Sequence, residues 1–448
     1  MNKTRALCEF LAVLDVNRVG AANMRDIRYK TLDWVGCAVA AQGKNCQRGA
    51  AAILREQGGA AQSSAVGLAE KTSSQQAAFY NGIISHALEY DDTNKVAITH
   101  PGAPVIAAAL AAAEAHGVTF RDYALGVAAG YETMMRVGGA LNPDHYEHWH
   151  TTGTAGTFAA AAAVGKMLGF DAARLEKAFG IATTMASGLI YVFGTEAKLV
   201  TVGNAARNGI VAAELAARDF TAPDDAIAGS NGYAQAANGK EDLSFMVPAS
   251  GDRLMLEDAY YKMYASCGHT HSALDALQAL MAENRFTAAD VESVELAVYR
   301  KAFELCSAYQ TETETKAKFS LPFCAANMLL YGRVTLPEFA SDHLSSTEIA
   351  EYAKRITVIE SETFTRTYPG LRTERARLHL KDGRVLEKQV DLPVGKPPYA
   401  FIESKFHSLA EMTVAASCAD AIQAAVIGIG DGDTLENIGS VIRNLEIK

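Results

Sequence analysis

Titratable and hydroxyl side chains are concentrated in one stretch of this chain, from His86 to Ala107 (HALEYDDTNKVAITHPGAPVIA). It lies between two apolar segments rich in small residues, a pattern typical of buried helices. Polar groups held between buried helices cost free energy, which suggests that they serve a function. We therefore interpret the stretch as an active-site loop that ends at the Pro101–Gly102 turn. Its candidate residues are Glu89, Asp91, Asp92, Thr93 and His100.

A second polar segment, HYEHWHTTGTAGT, runs from His145 to Thr157. The Thr/Gly run after His150 suits the start of a helix, where Thr151 could cap the free N–H groups and where anions bind. The alternative is a metal site made by His145, His148 and His150 with a carboxylate of the first loop. The spacing lacks the further ligands of known metal motifs, so we favour an anion site beside His150 and expect no metal.

Two cationic side chains could bind an acidic substrate. Lys198 lies among small and apolar residues in GTEAKLVTVGNAARNG, where we expect a turn followed by a helix from about residue 203. Arg136 follows Glu132 by one helical turn, a spacing typical of an ordinary ion pair. A role for Arg136 in binding a substrate carboxylate is the alternative.

The segment KMYASCGHTHSALDAL brings Lys262, Cys267, His269 and His271 close together in sequence, near a predicted domain junction. Ligand sites are common at such junctions. Cys267 could be a nucleophile with a histidine as its base, or simply a packed thiol. No oxyanion-hole motif accompanies it, which favours the packed thiol.

Bulk composition excludes several classes of function. The chain has 448 residues and a formal net charge of −10, without a Lys/Arg-rich run, so we expect no nucleic-acid partner. No apolar segment is long enough to span a membrane, and the N-terminus does not resemble a signal peptide. Seven scattered cysteines without a Cys-x-x-Cys favour reduced thiols in the cytoplasm. Dinucleotide and ATP motifs are missing.

Periodicity predicts a mainly α protein with two domains. The first ~265 residues have helical patterns with dense alanine. Strand patterns follow at 291–298 and 355–361, and the Asp382–Gly383 turn indicates a β-hairpin. We predict a large all-helical, discontinuous domain (1–266 and 401–448) and a smaller α+β lid domain (267–400).

Taken together, these segments resemble the MmgE/PrpD family, which includes 2-methylcitrate dehydratase, cis-aconitate decarboxylase and iminodisuccinate epimerase. The resemblance rests on HALEYDDT…THPGAPVIAAALAAAE, GYETMMRVG, HWHTTGTAGTFAAAAAVGKMLGFD, AKLVTVGNAARNGIVAAELA, KMYASCGHTHSALDAL and KFSLPFCAANMLLYGRV, in this order. It implies a homodimer without a cofactor and an active site between the two domains. The positions that match the family's site are Glu89, Thr93, His100, His150, Lys198, Lys262 and the segment Cys267–His271.

The resemblance implies a small polycarboxylate substrate and chemistry that begins with proton removal beside a carboxylate. Our first hypothesis is a hydro-lyase like 2-methylcitrate dehydratase. The alternatives are an epimerase of an aspartate-derived dicarboxylate such as iminodisuccinate, a decarboxylase of the cis-aconitate type, and a non-catalytic carboxylate-binding protein. The decarboxylase is disfavoured by a loop one residue longer between Thr93 and His100, and by Cys267 where that branch has a histidine. We expect His100 or His150 to be the base, oriented by Glu89, Asp91 or Asp92, and a second histidine or Lys262 to be the acid.

Overall fold

A computed structural model describes residues 2–239, 242–249, 251, 253–393 and 396–448. The chain forms two compact units. Unit 1 comprises Met1–Tyr261 and Pro397–Lys448, and unit 2 comprises Lys262–Lys396.

Unit 1 is almost entirely helical. Its strands β1 (Ser63–Ala65) and β2 (Leu68–Thr72) form an antiparallel hairpin. Its helices are α1 (Lys3–Ala12), α2 (Val16–Ala40), α3 (Asn45–Gln57), α4 (Ser74–Ser85), α5 (Gly102–His116), α6 (Phe120–Leu141), α7 (Thr151–Met167), α8 (Ala172–Ala182), α9 (Ala197–Ala217), α10 (Tyr233–Asn238), α18 (Tyr399–Ala410), α19 (Ala416–Ile427) and α20 (Glu436–Arg443).

Helix α7 is the centre of unit 1, with every residue buried except Lys166. Small residues let its neighbours approach closely, because a side chain at these points would meet another helix. A methyl group added to Gly209 of α9 would lie 2.7 Å from the Ala161 backbone nitrogen of α7. One added to Gly203 of α9 would lie 2.6 Å from the Phe79 carbonyl oxygen of α4. This packing brings the end of α4 and the starts of α7 and α9 together.

Two local predictions for unit 1 were wrong. Helix α9 begins at Ala197, not near residue 203, so Lys198 lies in its first turn. The β1–β2 hairpin lies in the domain that we predicted to be all-helical. Its turn contains Gly67 with a φ of 75°, a left-handed conformation that favours glycine.

Unit 2 combines helices with a four-stranded sheet of order β4-β3-β5-β6. The strands are β3 (Val291–Val298), β4 (Ile356–Glu360), β5 (Glu374–Leu380) and β6 (Val385–Val390), with β3 parallel to β4 and antiparallel to β5. The predicted hairpin is confirmed, with His379 opposite Val385 and Gly383 at a φ of 87° in its turn. The helices are α11 (His271–Glu283), α12 (Arg300–Cys306), α13 (Glu314–Ala317), α14 (Leu321–Tyr331), α15 (Ser341–Leu344), α16 (Thr347–Ala353) and α17 (Glu362–Thr365).

The predicted fold class, mainly α with a smaller α+β part, is confirmed. Among the described residues, no helix combines the length and apolar character needed to cross a membrane. All seven cysteines lie in the described ranges as free thiols.

Candidate active site

The first polar loop begins directly after α4 and is tightly folded. His86 is the C-cap of α4, and Glu89 has a φ of 53°, an uncommon conformation for a residue with a side chain. Lys405 of α18 donates a hydrogen bond of 2.7 Å to the Tyr90 carbonyl oxygen, between the two acidic residues Glu89 and Asp91. Further along, the Thr93 and Tyr260 backbones pair with each other through two hydrogen bonds. The side chains of Glu89 and Asp91 are therefore presented by a constrained turn.

Asp91 connects two histidines. Its Oδ2 atom lies 2.8 Å from His86 Nδ1 and 3.2 Å from His100 Nδ1. The rings of His86 and His100 meet edge to face with centroids 4.7 Å apart, and the His86 ring stacks against His150 at 5.9 Å. We call these four residues, His86, Asp91, His100 and His150, the histidine cluster. Burial alone would raise the pKa of Asp91, but His86 and His100 hold it well below its usual range, so this carboxyl is ionised.

His150 is held as one neutral tautomer. Its Nδ1 lies 2.7 Å from the Thr201 hydroxyl, which itself donates its only proton to the Lys198 carbonyl oxygen at 2.7 Å. The hydroxyl must therefore accept from His150, which puts the proton on Nδ1 and leaves a lone pair on Nε2. Burial, together with the charge of Lys198, lowers the pKa of His150 well below its usual value. His150 can thus accept a proton, but it is not an imidazolium near neutral pH.

Lys198 adds a buried cation next to this imidazole. Its Nζ atom forms an ion pair with Glu89 and lies 4.9 Å from the centre of the Phe193 ring. Both charged side chains are nearly inaccessible to water, which strengthens their interaction. His100 is more accessible, with a side chain that is 15% exposed, and its backbone N–H donates to the Thr152 hydroxyl at 3.2 Å. The loop is thereby attached to the first turn of α7.

Asp92 points away from the histidines and caps a helix. Its Oδ1 accepts from the Gly102 N–H at the start of α5 (2.8 Å), and its Oδ2 accepts from the Tyr131 hydroxyl (2.7 Å). Burial raises its pKa to about 6. These contacts indicate that Asp92 supports the loop, whereas Asp91 contacts the candidate base.

Three further candidates have backbone or packing contacts. The Thr93 hydroxyl donates to the Thr99 carbonyl oxygen (3.0 Å), and the Thr151 hydroxyl donates to Asn142 Oδ1 (3.3 Å). Arg136 donates to Glu132 at 3.1 Å and lies 5.4 Å from the Phe10 ring of α1. Glu132 also accepts from the Leu256 N–H. The Arg136 pair therefore links α6 to its neighbours, which favours the ordinary ion pair over the substrate-binding alternative.

The side chains of the three histidines considered for a metal site lie in three different environments. His145 contacts the Thr154 hydroxyl at 2.9 Å and stacks on Trp149, while His148 is exposed and His150 belongs to the histidine cluster. Within the described ranges, the one set of three metal-ligand types with atoms within 4.8 Å of one another is His86, Asp91 and His100. His86 Nδ1 forms a hydrogen bond with Asp91 Oδ2, whereas His100 Nδ1 lies at ion-pair distance from the same oxygen without hydrogen-bond geometry. We therefore describe the set as a hydrogen-bonded pair with a third, charge-coupled imidazole and assign no metal to it.

The remaining candidates belong to unit 2. Lys262 donates to the Ser266 carbonyl oxygen at 3.0 Å, and His271 Nε2 lies 3.3 Å from the same atom. His269 Nδ1 lies 2.6 Å from the Tyr299 hydroxyl, and burial lowers its pKa well below the usual value. Cys267 is buried next to Cys306, whose pKa is raised well above its usual value by burial and by Cys267 itself. Unit 2 thus contains its own cluster of buried polar side chains.

The sequence analysis missed two members of the candidate site in unit 1. His86 was the first residue of the stretch that we selected, but a spacing of five residues from Asp91 did not suggest contact. Thr201 follows Lys198 by three residues, so the two share a helix face. The shared face could be recognised only from the observed start of α9 at Ala197.

Comparisons with known proteins cover most of the chain. Residues 5–246 match the family model of the MmgE/PrpD N-terminal domain, and residues 264–428 match that of the MmgE/PrpD C-terminal domain. Cis-aconitate decarboxylase of Aspergillus terreus is 27% identical over 99% of this chain and 95% of its own. The mouse (Mus musculus) and human (Homo sapiens) cis-aconitate decarboxylases are each 25% identical over 83% of this chain, and over 78% and 76% of their own.

Proposed function

Because the chain belongs to the MmgE/PrpD family, we propose that it is a cofactor-independent lyase acting on a citrate-like polycarboxylate. The observation that carries the proposal is the histidine cluster beside the Lys198–Glu89 pair in unit 1. It combines an oriented imidazole, an ionised carboxylate and a buried cation.

Proton removal beside a carboxylate demands this combination. The reaction builds negative charge on a group that is already anionic, so a cation placed in advance stabilises the developing enediolate. A base must also lie within hydrogen-bond reach of the carbon-bound proton. The buried surroundings strengthen both interactions, since few water molecules compete for them.

We assign the base to His100. The Asp91 carboxylate lies 3.2 Å from its Nδ1, and this negative charge favours a proton on Nδ1, so that Nε2 accepts the substrate proton. His150 is a second acceptor rather than the acid, because its pKa is strongly lowered. Lys198 is the cation, with Glu89 as its counterion. Lys262, His269, His271 and Cys267 are proposed contributors from unit 2, with Lys262 as the candidate acid.

Dehydration of a hydroxy tricarboxylate is our first choice among the lyase reactions. The longer loop between Thr93 and His100, and Cys267 in place of a histidine, are the sequence features that favour it over decarboxylation. Decarboxylation is the second candidate, since the relatives in Aspergillus terreus, mouse and human are named cis-aconitate decarboxylases. An epimerase would use the same first step without a leaving group.

The test is a panel of di- and tricarboxylates, including 2-methylcitrate and cis-aconitate, incubated with the protein in D₂O and followed by proton NMR and CO₂ release. Dehydration of the hydroxy acid gives an alkene without CO₂, and decarboxylation gives an alkene with CO₂. Exchange with inversion alone would indicate an epimerase. Binding without any exchange or turnover would indicate a non-catalytic protein and overturn the proposal.

Variants then test the assignment. His100→Ala should reduce turnover by at least about 100-fold, the usual contribution of a general base, and Lys198→Ala by a similar factor, the usual contribution of a group that stabilises developing charge. His148→Ala is the matched control, because it replaces an exposed imidazole near the site. Near-normal rates in both site variants, with circular dichroism confirming the fold, would contradict the assignment.

A further inference from the structure

His86 is the most deeply buried member of the histidine cluster, and the roles proposed above do not use it. Its side chain is inaccessible to water, and its Nδ1 makes the shorter of the two contacts with Asp91 Oδ2, at 2.8 Å against 3.2 Å for His100. Its Nε2 atom has no hydrogen-bond partner among the described residues. Burying an imidazole nitrogen without a hydrogen-bond partner costs free energy. The presence of His86 next to Asp91 therefore calls for an explanation.

We propose that His86 is a positioning residue that fixes the Asp91 carboxylate. The Oδ2 atom of Asp91 contacts both His86 and His100, so that neither imidazole interacts with the full charge of the carboxylate. This inference rests on the proposed function, in which His100 is the base. His86 itself does not contact the substrate in this scheme.

The sharing has a definite electrostatic consequence. Asp91 Oδ2 accepts a hydrogen bond from His86 and lies at ion-pair distance from His100. A carboxylate charge already engaged by one N–H donor stabilises a second, nearby imidazolium less than it would stabilise a single partner. Without the His86 donor, Asp91 would interact with His100 alone and favour its imidazolium form. A base in that form cannot accept a proton, so His86 would keep His100 competent at lower pH.

The other charges around the cluster do not replace this effect. Glu89 is paired with Lys198, both of which face His150. Behind Asp91, the buried Asp33 of α2 is paired with Lys405 of α18 at 2.7 Å. His150 bonds to Thr201 rather than to a carboxylate. Asp91 is therefore the acidic group that the contacts of both His86 and His100 converge on.

The test compares His86→Leu, which removes the donor, with His86→Asn, whose side-chain N–H₂ can occupy nearly the position of Nδ1. The pH dependence of kcat/KM is measured for each variant on the substrate found with the carboxylate panel. His86→Leu should move the acidic limb upward by about one pH unit, and His86→Asn should return it to the wild-type position. A merely structural role would lower stability without moving this limb. An unmoved limb in His86→Leu, or the same shift in both variants, would overturn the proposal.

A second measurement keeps this result separate from the proposed function. The His100 imidazole is titrated by NMR in the wild-type protein and in both variants, with its signal assigned by its loss in His100→Ala. The same upward shift of the His100 titration in His86→Leu supports the inference even when no polycarboxylate is turned over, and an unchanged titration overturns it. If His86→Leu does not fold, His86→Gln takes its place, because its longer side chain puts the amide beyond the Nδ1 position.

Discussion

A single hydroxyl selects the tautomer of His150. Thr201 can accept from Nδ1 because its own proton is donated to the Lys198 carbonyl oxygen. We predict that Thr201→Val, which is nearly isosteric, lowers kcat about tenfold or more while the protein remains folded, because Nε2 is then no longer fixed as the acceptor. Thr184→Val is the control, since the exposed Thr184 hydroxyl also donates to a backbone carbonyl. Equal kcat values for the two variants would argue against a role for the tautomer.

For individual residues, residue types and their order in the chain predicted part of the candidate site. Glu89, Asp91, His100, His150 and Lys198 were selected from the sequence, and the contacts bring them together. The choice between Asp91 and Asp92 could not be predicted, because adjacent side chains in an irregular turn can point in opposite directions. One carboxyl caps α5 and the other contacts the histidines. Only the coordinates distinguish them.

Among the elements, α18 supports the loop that contains Glu89 and Asp91. Its Lys405 pairs with Asp33 of α2, donates to the Tyr90 carbonyl and lies 4.0 Å from the centre of the Tyr90 ring. Burial alone would lower the pKa of Lys405, but Asp33 raises it above its usual value, so the lysine is charged. A helix near the C-terminus thereby holds the loop that contains Glu89 and Asp91.

We predict that Lys405→Met destabilises the protein by about 3–5 kcal/mol, because it leaves Asp33 buried and unpaired. The double variant Lys405→Met/Asp33→Asn should recover part of this loss. Urea unfolding measures the effect, and Arg366→Met, which removes an exposed ion pair with Glu362, should cost less than about 1 kcal/mol. If Lys405→Met lowered the free energy of unfolding no more than Arg366→Met, Lys405 would not hold the loop.

The start of α9 shows why element boundaries were harder to predict than element types. We took the glycines near residue 203 as a turn, since glycine is a common helix breaker. Gly203 instead lies inside the helix, where its missing side chain admits the Phe79 carbonyl of α4. Whether a glycine ends a helix or allows close packing depends on a partner distant in sequence. For the same reason, the helix face that Lys198 shares with Thr201 was not predicted.

For the molecule as a whole, the two tryptophans, Trp34 and Trp149, both belong to unit 1, so their fluorescence follows the unfolding of that unit. Unit 1 also contains the buried His145, whose pKa burial lowers to about 4. An unfolded histidine binds a proton near pH 6.5. Between these values the unfolded chain binds more protons than the folded chain, so the free energy of unfolding falls as the pH falls.

This single histidine should therefore destabilise unit 1 by about 2 kcal/mol when the pH is lowered from 7.5 to 5. We predict that His145→Gln, which can retain a hydrogen bond to Thr154, removes this part of the pH dependence of the free energy of unfolding, as measured by urea denaturation. His148→Gln replaces an exposed imidazole in the same loop and should keep the wild-type dependence. An identical slope in both variants would mean that His145 can be protonated within the folded unit, and the acid sensitivity of unit 1 would have to come from other buried groups such as His150.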